Sequence, residues 1–401
     1  MSTYSVAIDT EGAVYVWGTG GPAGAVQSSK TDIQPQLLEA LPLHAKVIDV
    51  SCGLGHALFL LHTGRVYSWG NGGNGRLGLG DGQDRSEACP VVLLQHERIA
   101  AVQCGASHSM ALTSSGKVYS WGKNTQGQCG HGNIDDHIKP TLIRKLEEHV
   151  IIQLAAGWEH SLALTQEGTI YSWGSGYKDN RRGVVPPVLG LGHNEVRQSP
   201  ELIASIESVK IIHIACGWDH CLAVDEHGKV LAWGSGQNGK LGLGTEENVS
   251  LPCYIPTLDS DDECNNPKDT KKDTLGAKNE PKKRLFVTHM SAGCEHTAVL
   301  TRDGEVYSWG HGDGGRLGHG TNAQCLVPTR VESIALMGVR YANVICIHSS
   351  TFFILSTVTR RELTRFGSLL SYFLFSPRLQ FSFNRTTPLF CCFQAHLGAL
   401  W

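Results

Sequence analysis

Residues 155–174 read AAGWEHSLALTQEGTIYSWG. Ser161 to Thr165 and Thr169 to Trp173 are short runs rich in strand-forming residues. Between them lies Gln166-Glu167-Gly168, ending on a glycine that can take the positive φ of a tight hairpin. The stretch therefore predicts a β-hairpin. A strand before Gly157 (Val150 to Ala155) and another beyond the next glycine-rich loop (Pro200 to Ile203) extend it to a four-stranded antiparallel meander.

The same grammar recurs along the chain. A Trp-Gly pair closes a strand at Trp17, Trp69, Trp121, Trp173, Trp233 and Trp309, in steps of 52, 52, 52, 60 and 76 residues. Gly-x-x-His recurs at Gly53/His56, Gly105/His108, Gly157/His160, Gly217/His220 and Gly293/His296, in steps of 52, 52, 60 and 76. A meander that buries its faces only against copies of itself predicts an all-β fold, a β-propeller of four-stranded antiparallel blades. Five blades are complete. Stepping back 52 residues from His56 lands on Tyr4, so the first blade lacks its opening strand. Stepping forward 52 from His296 lands on His348 with no tryptophan near Arg361, so the last lacks its closing hairpin. Two closures fit: Val339 to Cys346 completes the first blade of a six-bladed ring, or the chain ends in a broken seventh blade, the arrangement favoured here.

The strings VYSWG, GNGRLGLGDG (Gly73 to Gly82), QNGKLGLGTE (Gln237 to Glu246) and CGWDHCLAV (Cys216 to Val224) resemble repeats of the regulator of chromosome condensation family, including its plant ultraviolet-B receptor branch. The resemblance covers residues 1–356 and implies a ring of blades, seven in the best-known members. Residues 357–401 carry no repeat marker and are expected to be a poorly ordered tail, a splice or gene-model product.

Two insertions depart from the period. Residues 176–188 (GYKDNRRGVVPPV) enlarge the loop between a blade's third and fourth strands. Residues 259–284 separate one blade's fourth strand from the next blade's first; their acidic start and the run Pro281-Lys282-Lys283-Arg284 predict disorder, with nuclear import as a subordinate reading. In a meander the first-to-second and third-to-fourth connections share a face, so the shorter insertion sits beside the Gly-x-x-His turns.

Net charge, 34 basic against 37 acidic residues, is −3, which argues against wholesale coating of nucleic acid. The N-terminus lacks a basic segment followed by an apolar run, and no stretch approaches the roughly 18 apolar residues of a membrane span. The expectation is a monomer of the cytoplasm or nucleus, with its 13 cysteines reduced.

Several catalytic readings fail on physical grounds. Gly70/Gly72/Gly75, Gly234/Gly236/Gly239 and Gly310/Gly312/Gly315 satisfy G-x-G-x-x-G, but a strand follows instead of the helix that would hold a phosphate. Gly239-Lys240-Leu241 lacks the hydroxyl that a P-loop uses for magnesium. The histidines His56, His108, His160, His220 and His296 share one repeat position, so they are distributed around the ring and are expected to bond within their turns, not to hold a metal. Cys52, Cys104 and Cys216 alternate with Ala156 and Ala292, which reads as small packed side chains. Asp219, His220 and Cys221 are adjacent in sequence and face opposite ways, so no hydrolase site emerges. Neither a cofactor nor a metal is expected, and the chain is not expected to be an enzyme.

The candidate site is the tip of the Gly-x-x-His turns. Its variable pairs are Leu54-Gly55, Ala106-Ser107, Trp158-Glu159, Trp218-Asp219 and Cys294-Glu295. Trp158, Glu159, Trp218, Asp219 and Glu295 gather on one arc of one face, beside Arg181 and Arg182 of the enlarged loop. Exposed indole with carboxylate is what a protein hot spot offers, with charge to steer a basic partner. The expected function is a protein-interaction scaffold or adaptor. The resemblance implies the alternative, guanine-nucleotide exchange on a small GTPase, with 176–188 as a wedge and Asp219 taking part. Chromatin association through a basic protein such as a histone is subordinate, and so is light sensing. The ultraviolet-B receptor branch carries tryptophan followed by arginine at this turn in three consecutive blades. Here Trp158 and Trp218 match two of them, Cys294 replaces the third, and Glu159, Asp219 and Glu295 replace the arginines.

Overall fold

The computed structural model describes residues 3–9, 11–19, 32–38, 41, 46–176, 185–258, 285–332, 341–347 and 350–355. The first sheet has three strands, β1 (Thr3–Ile8), β2 (Val14–Thr19) and β3 (Asp32–Leu37). Five four-stranded sheets follow. The second is β4 (Val47–Cys52), β5 (His56–Leu61), β6 (Val66–Gly70) and β7 (Arg85–Pro90). The third is β8 (Ile99–Cys104), β9 (His108–Thr113), β10 (Val118–Gly122) and β11 (His137–Leu142). The fourth is β12 (Ile151–Ala156), β13 (His160–Thr165), β14 (Ile170–Gly174) and β15 (Arg197–Leu202). The fifth is β16 (Ile211–Cys216), β17 (His220–Asp225), β18 (Val230–Gly234) and β19 (Val249–Tyr254). The sixth is β20 (Val287–Ala292), β21 (His296–Thr301), β22 (Val306–Gly310) and β23 (Cys325–Arg330). A two-stranded sheet, β24 (Tyr341–Ile347) with β25 (Ser350–Leu355), comes last.

All pairing is antiparallel between consecutive strands, which is the predicted meander. From the third sheet on, each sheet lays its first strand on the first two strands of the sheet before it: β8 on β4 and β5, β12 on β8 and β9, and so on to β24 on β20 and β21; β4 lies on β1. Among the described residues β1 pairs only with β2, and β24 pairs with β25 rather than with β1. The six-bladed closure through residues 339–346 is thereby set aside in favour of partial blades at both ends.

The second strand of every complete blade is buried along its whole length, as in HSLALT of β13, because it lies mid-blade with a neighbour on each face. The core is accordingly interblade. Leu162, Leu164 and Ile170 of the fourth sheet pack with Ile214, Ala223 and Trp233 of the fifth in one cluster. Gly168 holds φ at +92°, the hairpin conformation its position required. The G-x-G-x-x-G segments form 3-10 turns at Gly73–Gly75, Gln237–Gly239 and Asp313–Gly315 that lead back into strands. Among the described residues no helix is long and apolar enough to cross a membrane. The insertion 259–284, the tail 357–401 and residues 177–184 lie outside the described residues.

Gly105 shows why the turn motif opens on glycine. A Cβ there would lie on the His108 imidazole and within 2.8 Å of the Gly157 carbonyl oxygen in the next blade. Gly105→Ala is expected to cost about 2–4 kcal/mol in urea unfolding, as overpacked sites do. Gly73→Ala, whose nearest atom is the side-chain oxygen of Asn71 at 3.0 Å, should cost less than about 1 kcal/mol.

Candidate interaction face

Each Gly-x-x-His turn joins a blade's first two strands and is closed by a hydrogen bond from the glycine N–H to the histidine carbonyl, 2.8 Å at Gly53/His56 and 2.9 Å at Gly157/His160. The five imidazoles are fully buried. The Nε2 atoms of four of them reach into the next blade instead of bonding within the turn, which corrects the sequence-based expectation for those four. His56 meets Ser109 at 3.1 Å, His108 meets Ser161 at 2.9 Å, His160 meets Cys221 at 3.1 Å and His220 meets Thr297 at 3.0 Å. The physical reason is the glycine: the ring packs over it and points across the seam.

The seam continues through a shared carbonyl. Ser161 Oγ donates to the Gln128 carbonyl at 3.0 Å, and the Trp173 indole N–H donates to the same oxygen at 2.8 Å. Ser109 with Trp121 on Arg76, Cys221 with Trp233 on Val188, and Thr297 with Trp309 on Lys240 repeat the pattern. At the chain's opening Tyr4 stands where a histidine would, and its hydroxyl donates to the His56 carbonyl at 2.7 Å.

Above this seam the structure brings Trp158 and Trp218 together. Their ring centroids are 4.2 Å apart at 61°, an edge-to-face pair, and the Trp158 backbone N–H donates to the Trp218 backbone carbonyl at 2.9 Å. Both side chains are part-exposed, so neither is a core residue. Cys294, at the third position of the arc, is buried, whereas Glu295 is part-exposed.

The acidic members differ from the exposed tips expected of them. Glu159 is 8% exposed and paired with Lys123 at 2.7 Å. Asp219 is paired with Lys240, whose side chain is 1% exposed. Both lysines come from the segments between third and fourth strands, which confirms that these connections share a face with the turns. Sequence reasoning did not assign Lys123 or Lys240 to this face, although a signal existed in the basic residue that recurs at Arg76 and Lys240; in the structure Arg76 bonds the Leu54 carbonyl of its own turn at 3.1 Å. Arg181 and Arg182 lie outside the described residues.

Two features of this face titrate in opposite senses. Burial holds the His56 and His108 imidazoles down to about 3 and His220 well below its ordinary range. The thiols of Cys216 and Cys221 behave as a pair. Burial opposes ionising Cys216, but hydrogen bonding with Cys221 and the neighbouring His160 bring it below the ordinary thiol range, while burial and the adjacent Cys216 push Cys221 up.

The histidine depression carries a pH consequence. An unfolded imidazole titrates near about 6.5, so between that value and about 3 the unfolded chain binds more protons than the folded one. Stability is fully present above about pH 6.5 and lost progressively below it. Melting temperature should therefore fall steadily from about pH 7 to about pH 5, and His108→Asn should flatten the profile. A second consequence concerns the buried ion pair. Lys240→Ala should lower stability by about 2 kcal/mol or more by stranding Asp219, and adding Asp219→Asn should restore part of it.

Comparison with known proteins places this geometry. Residues 2–266 match the RCC1-like domain, and residues 287–316 and 303–354 match the regulator of chromosome condensation (RCC1) repeat. The chain is 33% identical over 333 residues to the ultraviolet-B receptor UVR8 of Arabidopsis thaliana, covering 82% of this chain and 68% of the receptor. Among solved structures it is similar to human WBSCR16, with a TM-score of 0.70 at 24% identity over 88% of this chain and 84% of that one. It is also similar to Prp20p of Saccharomyces cerevisiae, with a TM-score of 0.58 at 22% identity over 92% and 97% of the two chains.

Proposed function

The chain belongs to the regulator of chromosome condensation (RCC1) repeat family, and on that premise we propose that it is a protein-interaction adaptor whose working surface is the face carrying Trp158 and Trp218. At the coarser level, propellers of this family are interaction or regulatory platforms. The single observation that carries the finer reading is the edge-to-face indole pair. Two large, part-exposed rings fixed by a backbone hydrogen bond between adjacent blades present apolar area at little entropic cost, as interface hot spots do. Because Lys123 and Lys240 neutralise Glu159 and Asp219, recognition on this arc rests on ring contact, with Glu295 as the part-exposed carboxylate beside it. A partner segment that lays an aliphatic or guanidinium side chain across the indoles fits this chemistry.

Nucleotide exchange on a small GTPase is a second reading. Prp20p, which shares the fold, has binding properties to Gsp1p and histones. Since Asp219 is held by Lys240 in this chain, that reading rests on the fold and not on the site.

The test is affinity capture with the full chain against Trp158→Ala/Trp218→Ala. Both positions are part-exposed, so the double variant should keep its melting temperature within a few degrees while losing its partner by tenfold or more, about 1.4 kcal/mol. Equal capture by both proteins would remove the indole pair as the working surface. Release of fluorescent nucleotide from a panel of small GTPases, accelerated equally by both proteins, would favour exchange instead.

A further inference from the structure

At one interblade seam the repeated chemistry changes. The position after the turn histidine is Ala57 in the second blade and carries a hydroxyl in Ser109, Ser161 and Thr297 but a thiol in Cys221. Directly across the strand pair, Cys216 faces Cys221 in register, where the third, fourth and sixth blades set Cys104 against Ser109, Ala156 against Ser161 and Ala292 against Thr297. The imidazole that crosses this seam is that of His160, from the fourth blade. The donor atoms of His160, Cys216 and Cys221 all lie within 4.8 Å of one another. His160 Nε2 is 3.1 Å from Cys221 Sγ, and the two sulfurs are 3.7 Å apart. Of the four seams whose histidine contact is described above, this one alone gathers one nitrogen and two sulfurs.

We propose that His160, Cys216 and Cys221 form a binding site for a thiophilic d10 metal ion, monovalent copper. Two thiolates bound at about 2.3 Å stand about 3.8 Å apart at a tetrahedral angle and about 4.0 Å apart at a trigonal one, so the sulfurs need to move only a few tenths of an ångström. The imidazole faces them through Nε2, the atom that would bind, and no carboxylate belongs to the cluster. Soft sulfur with imidazole selects copper(I) or zinc, and structural zinc is almost always four-coordinate. Among the described residues, the Val188 carbonyl lies 3.4 Å from Cys221 Sγ and already accepts the Trp233 indole N–H. Three donors therefore suit copper(I). Binding displaces to solvent the proton held by Cys221 and any proton remaining on Cys216, and involves no change of oxidation state. His160 and Cys221 are buried while Cys216 is part-exposed, which gives the ion a route in.

The repeat itself supplies the control. Cys216→Ala/Cys221→Ser recreates the pair Ala156 and Ser161 of the preceding blade, so the double variant should fold with an unchanged metal-free melting temperature. The full-length chain and this variant would be titrated with copper(I) under anaerobic reducing conditions against a chromogenic chelator, and in parallel with zinc. We expect the wild type to bind one equivalent of copper more than the variant and to be alone in gaining thermal stability from it. Equal stoichiometry and equal thermal response would overturn the site and leave Cys221 as a substitute for the seam hydroxyl. A difference seen with zinc alone would overturn the copper assignment. X-ray absorption at the copper edge of wild type loaded with one equivalent gives a reading independent of the variant: two sulfurs and one nitrogen support the proposal, and an all-sulfur shell contradicts it.

Discussion

Everything in this propeller hangs on how one blade holds the next. The interaction that does so is a four-membered chain of contacts: a buried imidazole, the hydroxyl of the following blade, a backbone carbonyl of the first blade's glycine-rich loop, and the indole of the following blade. Each hydrogen bond contributes about 1 kcal/mol, and at the seam between the third and fourth blades all three are buried, so losing one partner strands the others. The glycines follow from this constraint. They leave room for the ring to lie flat and cross the seam, which is why Gly-x-x-His and Trp-Gly keep one register along the chain.

The interaction face is a by-product of the same geometry. Once the histidine is committed to the seam, the two residues before it make up the variable part of the turn and differ from blade to blade. In two adjacent blades they are tryptophan followed by an acid. The acids turn back to lysines of the neighbouring loops, and the indoles turn to each other. The arc therefore presents paired indoles beside carboxylates that are largely neutralised by lysine. The same variability explains how one seam can exchange its hydroxyl for sulfur and acquire a different chemistry without disturbing the blades on either side.

Much of this was legible in the sequence. The hairpin around Gly168, the four-stranded unit, the count of five complete blades and the missing strand at Tyr4 followed from two markers in one register. The partners of the histidines were not, because reading a repeat compares like positions with like, whereas the seam joins unlike ones. His56 contacts the residue 53 positions on, and His108 likewise, one beyond the period. The charges failed for a related reason. Glu159 and Asp219 were judged by their position on a turn tip, but their state is set by Lys123 and Lys240 on loops that meet them only in three dimensions. The thiol cluster was hidden in the same way, since Cys216 looked like an alanine substitute within its own repeat and His160 arrives from another.

The most direct test of the seam is a double-mutant cycle across it, with His108→Ala and Ser161→Ala measured singly and together by equilibrium unfolding. The two residues belong to different blades and meet at 2.9 Å. If the seam couples the blades, the pair should show an interaction energy of about 1 kcal/mol. Additivity within about 0.3 kcal/mol would mean that the imidazoles serve only their own turns and that something else holds the blades together.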